Sequence, residues 1–415
     1  MEARRVVITG IGAITPLGDF KETWRRVVDG EPHVTPITNF AVAESRTQIA
    51  SQISTPLDSY LVKLSKEGAR NLRKRGNRAS TLAVIAAVDA CEDAGILDEQ
   101  GLLAERYRAD TAAFIGTGIG APEEIVAFGA ENKKQIATAI LRMLPDSIPG
   151  NVAKTLNIHG GIKCNVQACA TGAGAVSDAM DSIQLGRAAI VLAGGVEAFS
   201  KPTHDAFALL GATTARNIDP QHASRPFDRG RDGFVMAEGA CVLVMEELRH
   251  ALDRKARIYA EILGSALKSG AGNDTDPSTP IQSLTMQEAL RRAQVHVTDV
   301  RYINAHGTST LAGDISEIAA IKQAFGRYAE RICVSSTKST TGHLMGAAGA
   351  LETAFTTMTL ATDIIPPTIN LDDLDPACAG VRHLGRKLEA ASLSIALNNS
   401  FGFFDQCVCI VLATS

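Results

Sequence analysis

One cysteine and two histidines have the types and surroundings for covalent chemistry in this 415-residue sequence. Cys169 lies within residues 166–174, where an apolar run changes to a series of small residues. This order predicts a thiol at the start of a helix, where unpaired backbone N–H groups and the helix dipole stabilise a thiolate. We therefore expect its pKa to fall below the value of about 8.5 for a free cysteine. The alternative is a buried structural thiol.

His306 and His343 each follow a short apolar stretch and lie beside a glycine. Such positions predict loops at strand ends, where proteins usually present catalytic groups. The alternative for either histidine is a capping or structural role. Lys338 shortly precedes His343 and stands between two hydroxyl residues, which favours a buried hydrogen-bonding lysine over a solvated one.

A thiolate and two imidazoles together suit acyl transfer between thioesters. The thiolate attacks a thioester and stores its acyl group. Two N–H donors can then hold the carbonyl oxygen of a second thioester. If that second substrate is a malonyl thioester, loss of CO2 leaves an enolate whose oxygen the donors stabilise. The resulting carbanion attacks the stored acyl group and makes a carbon–carbon bond. This chemistry requires all three side chains in one pocket.

The composition predicts a large α/β protein and argues against several functional classes. Apolar residues make up 45% of the chain and aromatic residues only 5%, so small and aliphatic side chains must build the core. The formal net charge of −4 gives no reason to expect nucleic-acid binding. No apolar run approaches the roughly 18 to 20 residues of a membrane span, and we expect no membrane association. The eight cysteines lack metal-type spacing, which favours reduced thiols in a cytoplasmic protein, and no pattern calls for a metal or an organic cofactor.

Short β-branched runs alternate with Ala-rich stretches, which predicts parallel or mixed sheets covered by helices. A helix that Ser80 caps is expected to run through Ala94 and to stop at Gly95. A charged helix over residues 246–255 and a fresh strand after it predict two halves, 1–255 with Cys169 and 256–415 with both histidines. The predicted strands cover residues 5–9, 111–115, 161–166, 188–193, 241–245, 257–262, 302–304, 332–334, 392–397 and 407–412.

Longer motifs resemble those of the β-ketoacyl-acyl-carrier-protein synthases of the thiolase superfamily, over nearly the whole chain. The elongating type is the most similar, close to the ketosynthase subunits of type II polyketide systems. The resemblance implies a duplicated five-layered α/β/α/β/α thiolase-like fold, normally dimeric. The motifs occupy residues 7–12, 116–120, 214–217, 224–228, 231–235, 238–239, 304–310, 335–349, 365–371 and 399–403.

The resemblance implies roles for individual residues. Cys169 matches the nucleophile that accepts the acyl chain. His306 and His343 match the pair that supports decarboxylation and condensation. Lys338 matches the lysine that orders this pair, and Glu352 matches a carboxylate of the same network.

The resemblance also implies the surroundings of the substrate. Thr308 and Thr310 match the threonines that hydrogen-bond a phosphopantetheine arm, which the acyl carrier protein supplies. The backbone N–H groups of Cys169 and Phe403 match an oxyanion hole. Phe403 further matches a gating phenylalanine between the nucleophile and the acyl tunnel, and malonyl is the implied extender.

The chain departs from the family pattern just after Phe403. The family continues with two glycines, where this sequence has Phe404 and Asp405. Because glycine reaches conformations that other residues avoid, we expect a stiffer or differently shaped gating loop. The extra carboxylate is expected to influence which chains are accepted. The alternative is a locally rebuilt loop that only packs and hydrogen-bonds.

A basic run is the candidate docking surface for an acidic acyl carrier protein, although such runs are usually solvated faces. Arg75 and Arg78 continue the run, and Lys133 and Lys134 form a second candidate. The docking candidates are Lys63, Lys66, Arg70, Arg73 and Lys74.

Two other functions are considered. A thiolase would need a second cysteine in a glycine-rich turn near the C-terminus, but Cys407 and Cys409 lie in an apolar, strand-like run. A non-catalytic chain-length subunit would lack the nucleophile, whereas Cys169 and both histidines are present. A homodimer and a heterodimer with a chain-length-factor-like subunit both remain open.

Overall fold

The computed structural model describes residues 4–130, 136–272, 274–390 and 392–414. The strands of the first half are β1 Val6–Thr15, β2 Gly18–Asp19, β3 Thr35–Pro36, β4 Ile49–Ala50, β5 Thr111–Thr117, β6 Ile162–Lys163, β7 Ile190–Glu197 and β8 Gly239–Glu247. The later strands are β9 Ala260–Lys268, β10 Tyr302–Asn304, β11 Cys333–Ser335, β12 Ile364–Ile365, β13 Arg382–His383, β14 Leu388–Glu389, β15 Ile395–Gly402 and β16 Gln406–Ala413.

Helices alternate with these strands along the chain. Those of the first half are α1 Phe20–Asp29, α2 Lys66–Arg75, α3 Arg78–Asp93, α4 Glu105–Arg108, α5 Pro122–Ala130, α6 Ile136–Met143, α7 Ser147–Leu156, α8 Thr171–Gln184, α9 Lys201–Leu209 and α10 Leu248–Asp253. Those of the second half are α11 Thr279–Ala293, α12 Leu311–Phe325, α13 Lys338–Thr341 and α14 Ala348–Thr362.

The two halves repeat one topology. In the first, the strands lie in the order β6-β5-β7-β8-β1, and in the second the equivalent order is β11-β10-β15-β16-β9. The directions of the inner strand pairs match as well. Strands β5 and β7 are parallel, as are β10 and β15 in the second half. Strands β7 and β8 are antiparallel, as are β15 and β16. Strands β1 and β9 pair and join both halves into one sheet of twelve described strands. The predicted duplication is confirmed, while the boundary near residue 255 stays a prediction.

Five layers result from this repeat. Helices α8 and α14 pack against each other and contact strands of both half-sheets, so they form the middle layer. Helices α3 and α7 cover the outer face of the first half-sheet, and α11 and α12 cover that of the second. The predicted α/β/α/β/α thiolase-like fold is confirmed.

Small residues allow these layers to approach closely. A Cβ atom at Gly172 in α8 would lie 2.6 Å from the backbone nitrogen of Ala350 in α14. The reverse contact is equivalent, since a Cβ atom at Gly349 in α14 would lie 2.7 Å from the nitrogen of Ala173. The first turns of both central helices therefore touch backbone to backbone, and this contact fixes the loops that precede them.

Some local predictions were wrong in detail. Helix α3 starts earlier than expected because Asn77 caps it, accepting the Ser80 N–H at 2.7 Å, while the Ser80 hydroxyl accepts the Asn77 N–H at 2.9 Å. The strand expected over residues 161–166 shrinks to β6, because the chain leaves the sheet to form the turn before Cys169. The helix expected over 246–255 shortens to α10, since Glu246 is buried at the end of β8.

None of the helices in the described part of the chain is both long and apolar enough to cross a membrane.

Candidate active site

The sheet topology brings several loops of the second half together. Strands β10, β11 and β15 are parallel neighbours, so their C-terminal ends lie at one edge of the sheet. His306 follows β10, Lys338 and His343 follow β11, and Phe403 follows β15. Contact between α8 and α14 then brings the Cys169 turn of the first half to the same place.

Cys169 occupies a tight turn ahead of α8. Its neighbour Ala168 has a φ of 46°, which is a strained, left-handed conformation for a residue with a side chain. The Thr171 hydroxyl stabilises the turn, because it donates to the Ala168 carbonyl at 2.7 Å and accepts the Gln167 N–H at 2.8 Å. The turn therefore presents the thiol in one fixed direction.

The Cys169 thiol and the two imidazoles border one cavity of about 280 Å³, which is the condition that the proposed chemistry requires. The rings of His306 and His343 have centroids 5.4 Å apart and are nearly perpendicular. Aromatic rings hold each imidazole, Phe401 beside His306 at 5.9 Å and Phe234 beside His343 at 5.3 Å.

A buried carboxylate positions the His306 loop. Glu317 in α12 accepts the backbone N–H of His306 at 2.9 Å and that of Gly307 at 2.7 Å. It also accepts the side-chain amide of Asn399 in β15 at 3.1 Å. This carboxylate ties three elements together directly behind the imidazole.

Lys338 and Glu352 form an ion pair with each other in the protein interior, with side-chain exposures of 1% and 3%. The prediction of a buried, hydrogen-bonding Lys338 is therefore confirmed. Burial raises the pKa of the Glu352 carboxyl, and the Lys338 ammonium opposes that rise. Because water screens a buried ion pair only weakly, its charges act strongly on neighbouring titratable groups.

Both imidazoles are neutral near physiological pH. Burial lowers the pKa of His306 well below its usual value, and the Lys338 charge and the neighbouring His343 lower it further. Burial and Lys338 lower the pKa of His343 in the same way. A neutral imidazole carries one N–H, so the pair can offer two donors without a positive charge.

The expected low pKa of Cys169 is wrong. Burial raises the pKa of this thiol to about 12, and the Lys338 charge counters only part of the effect. Cys169 precedes the first residue of α8 by two positions, and its burial disfavours the charged thiolate more than the start of the helix favours it. The resting site therefore holds a neutral thiol beside two neutral imidazoles.

Sequence reasoning missed Glu197, which lies at the end of β7. Its carboxylate accepts the Gly118 N–H at 2.9 Å, the Gly346 N–H at 3.0 Å and the Thr117 hydroxyl at 2.9 Å. It thereby joins the loop after β5 to the loop ahead of α14. Burial raises its pKa to about 7. An acidic residue at the end of a wholly apolar strand was the available signal.

Aromatic residues outside the predicted site form part of the cavity wall. The Phe207 ring lies 5.5 Å from that of Phe234 and 6.0 Å from that of Phe403. Phe207 comes from α9, an element that the sequence motifs did not single out. Cys407 also borders the cavity, but it lies within β16 at 1% exposure, and burial raises the pKa of its thiol.

The residues expected to contact the pantetheine arm and the oxyanion border the same cavity. The hydroxyls of Thr308 and Thr310 lie 2.9 Å apart. Gly402 packs against the nucleophile turn, because a Cβ atom there would lie 3.0 Å from the Cys169 nitrogen. Phe403 follows directly, so the two backbone segments of the expected oxyanion hole are adjacent.

The loop after Phe403 keeps a glycine-like shape despite its sequence. Phe404 has a φ of 59° and Asp405 a φ of 51°, both in the left-handed region. Such a conformation costs about 1 to 2 kcal/mol for a residue with a side chain. Glycine would adopt this backbone easily, so other contacts must offset the strain at Phe404 and Asp405. The expectation of a stiffer or differently shaped loop stays a prediction.

The docking candidates lie away from the cavity wall. Arg73 pairs with Asp58 at 2.8 Å, and Lys63 pairs with Asp89 at 2.7 Å. Arg78 is a poor candidate because it pairs with buried Glu238. Lys133 and Lys134 lie outside the described residues. The residues of α2 that are exposed and basic are Lys66, Arg70, Arg73, Lys74 and Arg75.

Comparison with known proteins identifies the class of protein. The model of the β-ketoacyl synthase N-terminal domain matches residues 3–251, and that of the C-terminal domain matches residues 259–372. The chain therefore belongs to the β-ketoacyl synthase family.

Individual relatives agree with this assignment. The chain is 38% identical over 412 residues to 3-oxoacyl-[acyl-carrier-protein] synthase 2 of Synechocystis sp., covering 97% of this chain and 96% of the relative. A β-ketoacyl synthase from Burkholderia phymatum superposes with a TM-score of 0.92 at 32% identity, over 99% of this chain and all of the other. The ishigamide ketosynthase/chain length factor superposes with a TM-score of 0.89 at 30% identity over the full length of both chains.

Proposed function

We propose that this β-ketoacyl synthase takes an acyl chain from acyl carrier protein onto Cys169 and extends it with malonyl-acyl carrier protein. The observation that supports this most directly is one cavity bordered by Cys169, His306 and His343. The chain is a condensing acyltransferase by family, and the thiolase alternative finds no support in it. The presence of the thiol and both imidazoles argues against a non-catalytic chain-length subunit.

In the first half-reaction, the Cys169 sulfur attacks the thioester carbonyl of the acyl donor. A carbon–sulfur bond forms, and the bond to the pantetheine sulfur breaks. Because the resting thiol is neutral, its proton must leave during attack, and a neighbouring neutral imidazole can pass it to the departing sulfur. The N–H groups of Cys169 and Phe403 stabilise the negative oxygen of the intermediate.

In the second half-reaction, the malonyl group loses CO2 and leaves an enolate. The neutral His306 and His343 donate N–H hydrogen bonds to the enolate oxygen. The carbanion attacks the acyl carbon, a carbon–carbon bond forms, and the Cys169 sulfur leaves as a thiolate that takes up a proton from water. Lys338 is a positioning residue whose charge keeps both imidazoles neutral, Glu352 holds Lys338 in place through their ion pair, and Thr308 and Thr310 hold the pantetheine arm.

Acylation of the intact protein tests this function. Incubation with acyl-acyl carrier protein should add the mass of one acyl group, and peptide mapping should place it on Cys169. Cys169→Ala should remain unmodified, whereas Cys164→Ala, which changes a cysteine outside the cavity wall, should acylate normally. Acylation of Cys169→Ala at another residue would refute the assignment.

We further propose that the chain pairs with a second copy of itself through the sheet edge at β6. This edge strand is exposed, and Ile162 and Leu185 beside it are 48% and 65% exposed. An apolar, unpaired edge is a template for strand pairing. Sedimentation of the purified chain should give a dimer mass, and Ile162→Glu should shift it to a monomer. A monomeric wild type that dimerises only with a chain-length-factor-like subunit would favour the heterodimer instead.

A further inference from the structure

The loop after Phe403 is tied to the segment that leads into α11. The N–H of Phe404 donates to the Asp274 carbonyl at 2.8 Å, and the Ser269 hydroxyl donates to the Phe404 carbonyl at 3.2 Å. The Asp405 carboxylate accepts the N–H of Ser278 at 2.9 Å. Three hydrogen bonds therefore hold two successive left-handed residues in place.

The Asp405 carboxylate sits in a fitted position. Asp405 is 5% exposed, although it lies in a turn between two strands. A Cβ atom at Gly270 would lie 2.1 Å from Asp405 Oδ2, so only glycine at position 270 leaves room for this carboxylate. Ser278 is the residue before α11, where a negative charge also interacts favourably with the helix dipole.

This attachment bears directly on access to the nucleophile. Phe403, Asp405 and Asp274 all border the cavity that contains the Cys169 thiol. Phe403 is bonded to Phe404, so a displacement of the Phe403 backbone also moves residues 404–405. Such a displacement breaks the Asp405 to Ser278 hydrogen bond, whereas rotation of the ring about its own side-chain bonds does not.

We propose that Asp405 is a positioning residue that latches the Phe403 loop to residues 274–278 and so restricts the passage of long acyl chains to Cys169. The proposal rests on the function proposed above, because the latch selects substrates only if Cys169 accepts acyl chains. Small reagents pass without loop movement, whereas long chains need the latch to open. The latch therefore discriminates by chain length and leaves the reactivity of the thiol itself unchanged.

Alkylation of Cys169 by iodoacetamide and by N-dodecyl iodoacetamide tests the latch without acyl carrier protein or condensation. Asp405→Ala removes the acceptor and should raise the dodecyl rate about tenfold relative to the iodoacetamide rate. Asp405→Asn keeps an oxygen that can accept the Ser278 N–H and should stay near the wild-type ratio. Asp405→Gly removes the acceptor without left-handed strain, so it replaces Asp405→Ala if that variant fails to fold. Hydrogen exchange at the Ser278 amide should become faster in both variants that lack the acceptor.

An unchanged rate ratio in folded Asp405→Gly would overturn the latch. If both rates rise by the same factor, the effect lies in thiol reactivity, and if neither rate changes, Asp405 does not restrict access. A changed ratio together with no acylation by acyl-acyl carrier protein would instead refute the proposed function and leave the latch standing.

Discussion

The imidazole of His306 stands at 84° to that of His343, with 5.4 Å between the ring centroids. Both rings face the Cys169 cavity, and neither has a carboxylate among its ring hydrogen-bond partners in the described residues. The nearest buried charge pair, Lys338 with Glu352, lowers the pKa of each imidazole through its cationic member. The site therefore keeps two uncharged donors where an enolate would form.

This electrostatic arrangement predicts an unusual pH profile. An imidazole gains a proton only when the pH falls to its pKa, and both pKa values lie well below 6.5. Decarboxylation of malonyl-acyl carrier protein should therefore stay constant from about pH 8 to about pH 6. Measuring CO2 release across this range checks it, and a fall with a midpoint near 6.5 would contradict it.

The paired substitution Lys338→Met with Glu352→Gln supplies the control. It removes both charges and leaves no unpaired charge in the interior. Without the cation the pKa of each imidazole rises, so the residual decarboxylation should be lost at a higher pH than in the wild type. An identical acid limb in both proteins would mean that Lys338 does not set the charge state of the histidines.

Glu197 predicts a pH-dependent stability. Its carboxyl has a pKa of about 7 in the folded protein and 4.5 as the reference value. Below about pH 4.5 the carboxyl is protonated in both the folded and the unfolded state. Between about pH 4.5 and pH 7 only the unfolded state has released the proton, so the free energy of unfolding falls as the pH rises through this window. The side chain that Glu197→Gln introduces does not titrate. The free energy of unfolding of this variant, measured by urea unfolding, should therefore rise by about 3 kcal/mol relative to the wild type between these two pH limits.

The matched variant Glu197→Ala separates charge from hydrogen bonding. Glutamine can still accept the N–H groups of Gly118 and Gly346, whereas alanine cannot. Glu197→Ala should therefore be less stable than Glu197→Gln at every pH. A difference between Glu197→Gln and the wild type that does not vary with pH would show that this carboxyl does not titrate in the window.

Gly402 predicts how closely the gating strand meets the nucleophile. A Cβ atom at this position would lie 3.0 Å from the Cys169 nitrogen and 3.1 Å from the Gln167 oxygen. Gly402→Ala should displace the Cys169 N–H in the proposed oxyanion hole and slow acylation by about tenfold or more. Gly385→Ala is the control, since nothing lies within 4 Å of its Cβ position. Equal acylation rates in both variants would argue against the oxyanion role.

The sequence predicted the parts of the site that depend on local pattern. Cys169, His306 and His343 stand out because apolar strands end at glycine-rich turns, and the structure brings all three to one cavity. The family resemblance implied the duplication, and the structure shows it as the same strand order in both halves.

The features that sequence reasoning missed depend on contacts between distant segments. The pKa of Cys169 is raised because the Gly402 strand and the second-half loops bury it, and no pattern around residue 169 reports that burial. Glu197 acts on Gly346, which is far along the chain and reaches it only after the two halves stack. The left-handed Phe404 and Asp405 are tolerated because Ser278 and Gly270 accommodate them.

One face of α2 predicts the salt dependence of carrier docking. Lys66, Arg70 and Arg73 follow each other at helical spacing and are exposed, whereas Gly68, Ala69 and Leu72 are buried. These exposed cations are expected to accelerate encounter with an acidic carrier, and this effect weakens as salt rises.

Charge reversal on α2 tests docking against a matched change elsewhere on the surface. Arg73→Glu with Lys74→Glu should lower kcat/KM for acyl-acyl carrier protein by about tenfold at low salt, because encounter slows, and should spare turnover of a small acyl thioester mimic. Arg249→Glu with Arg301→Glu changes the net charge equally at two exposed positions outside α2, one in each half, and should affect neither substrate. Stopped-flow turnover at two salt concentrations measures both pairs. Equal losses for the carrier-bound and the small substrate in the α2 variant would place its effect in the active site and rule out docking there.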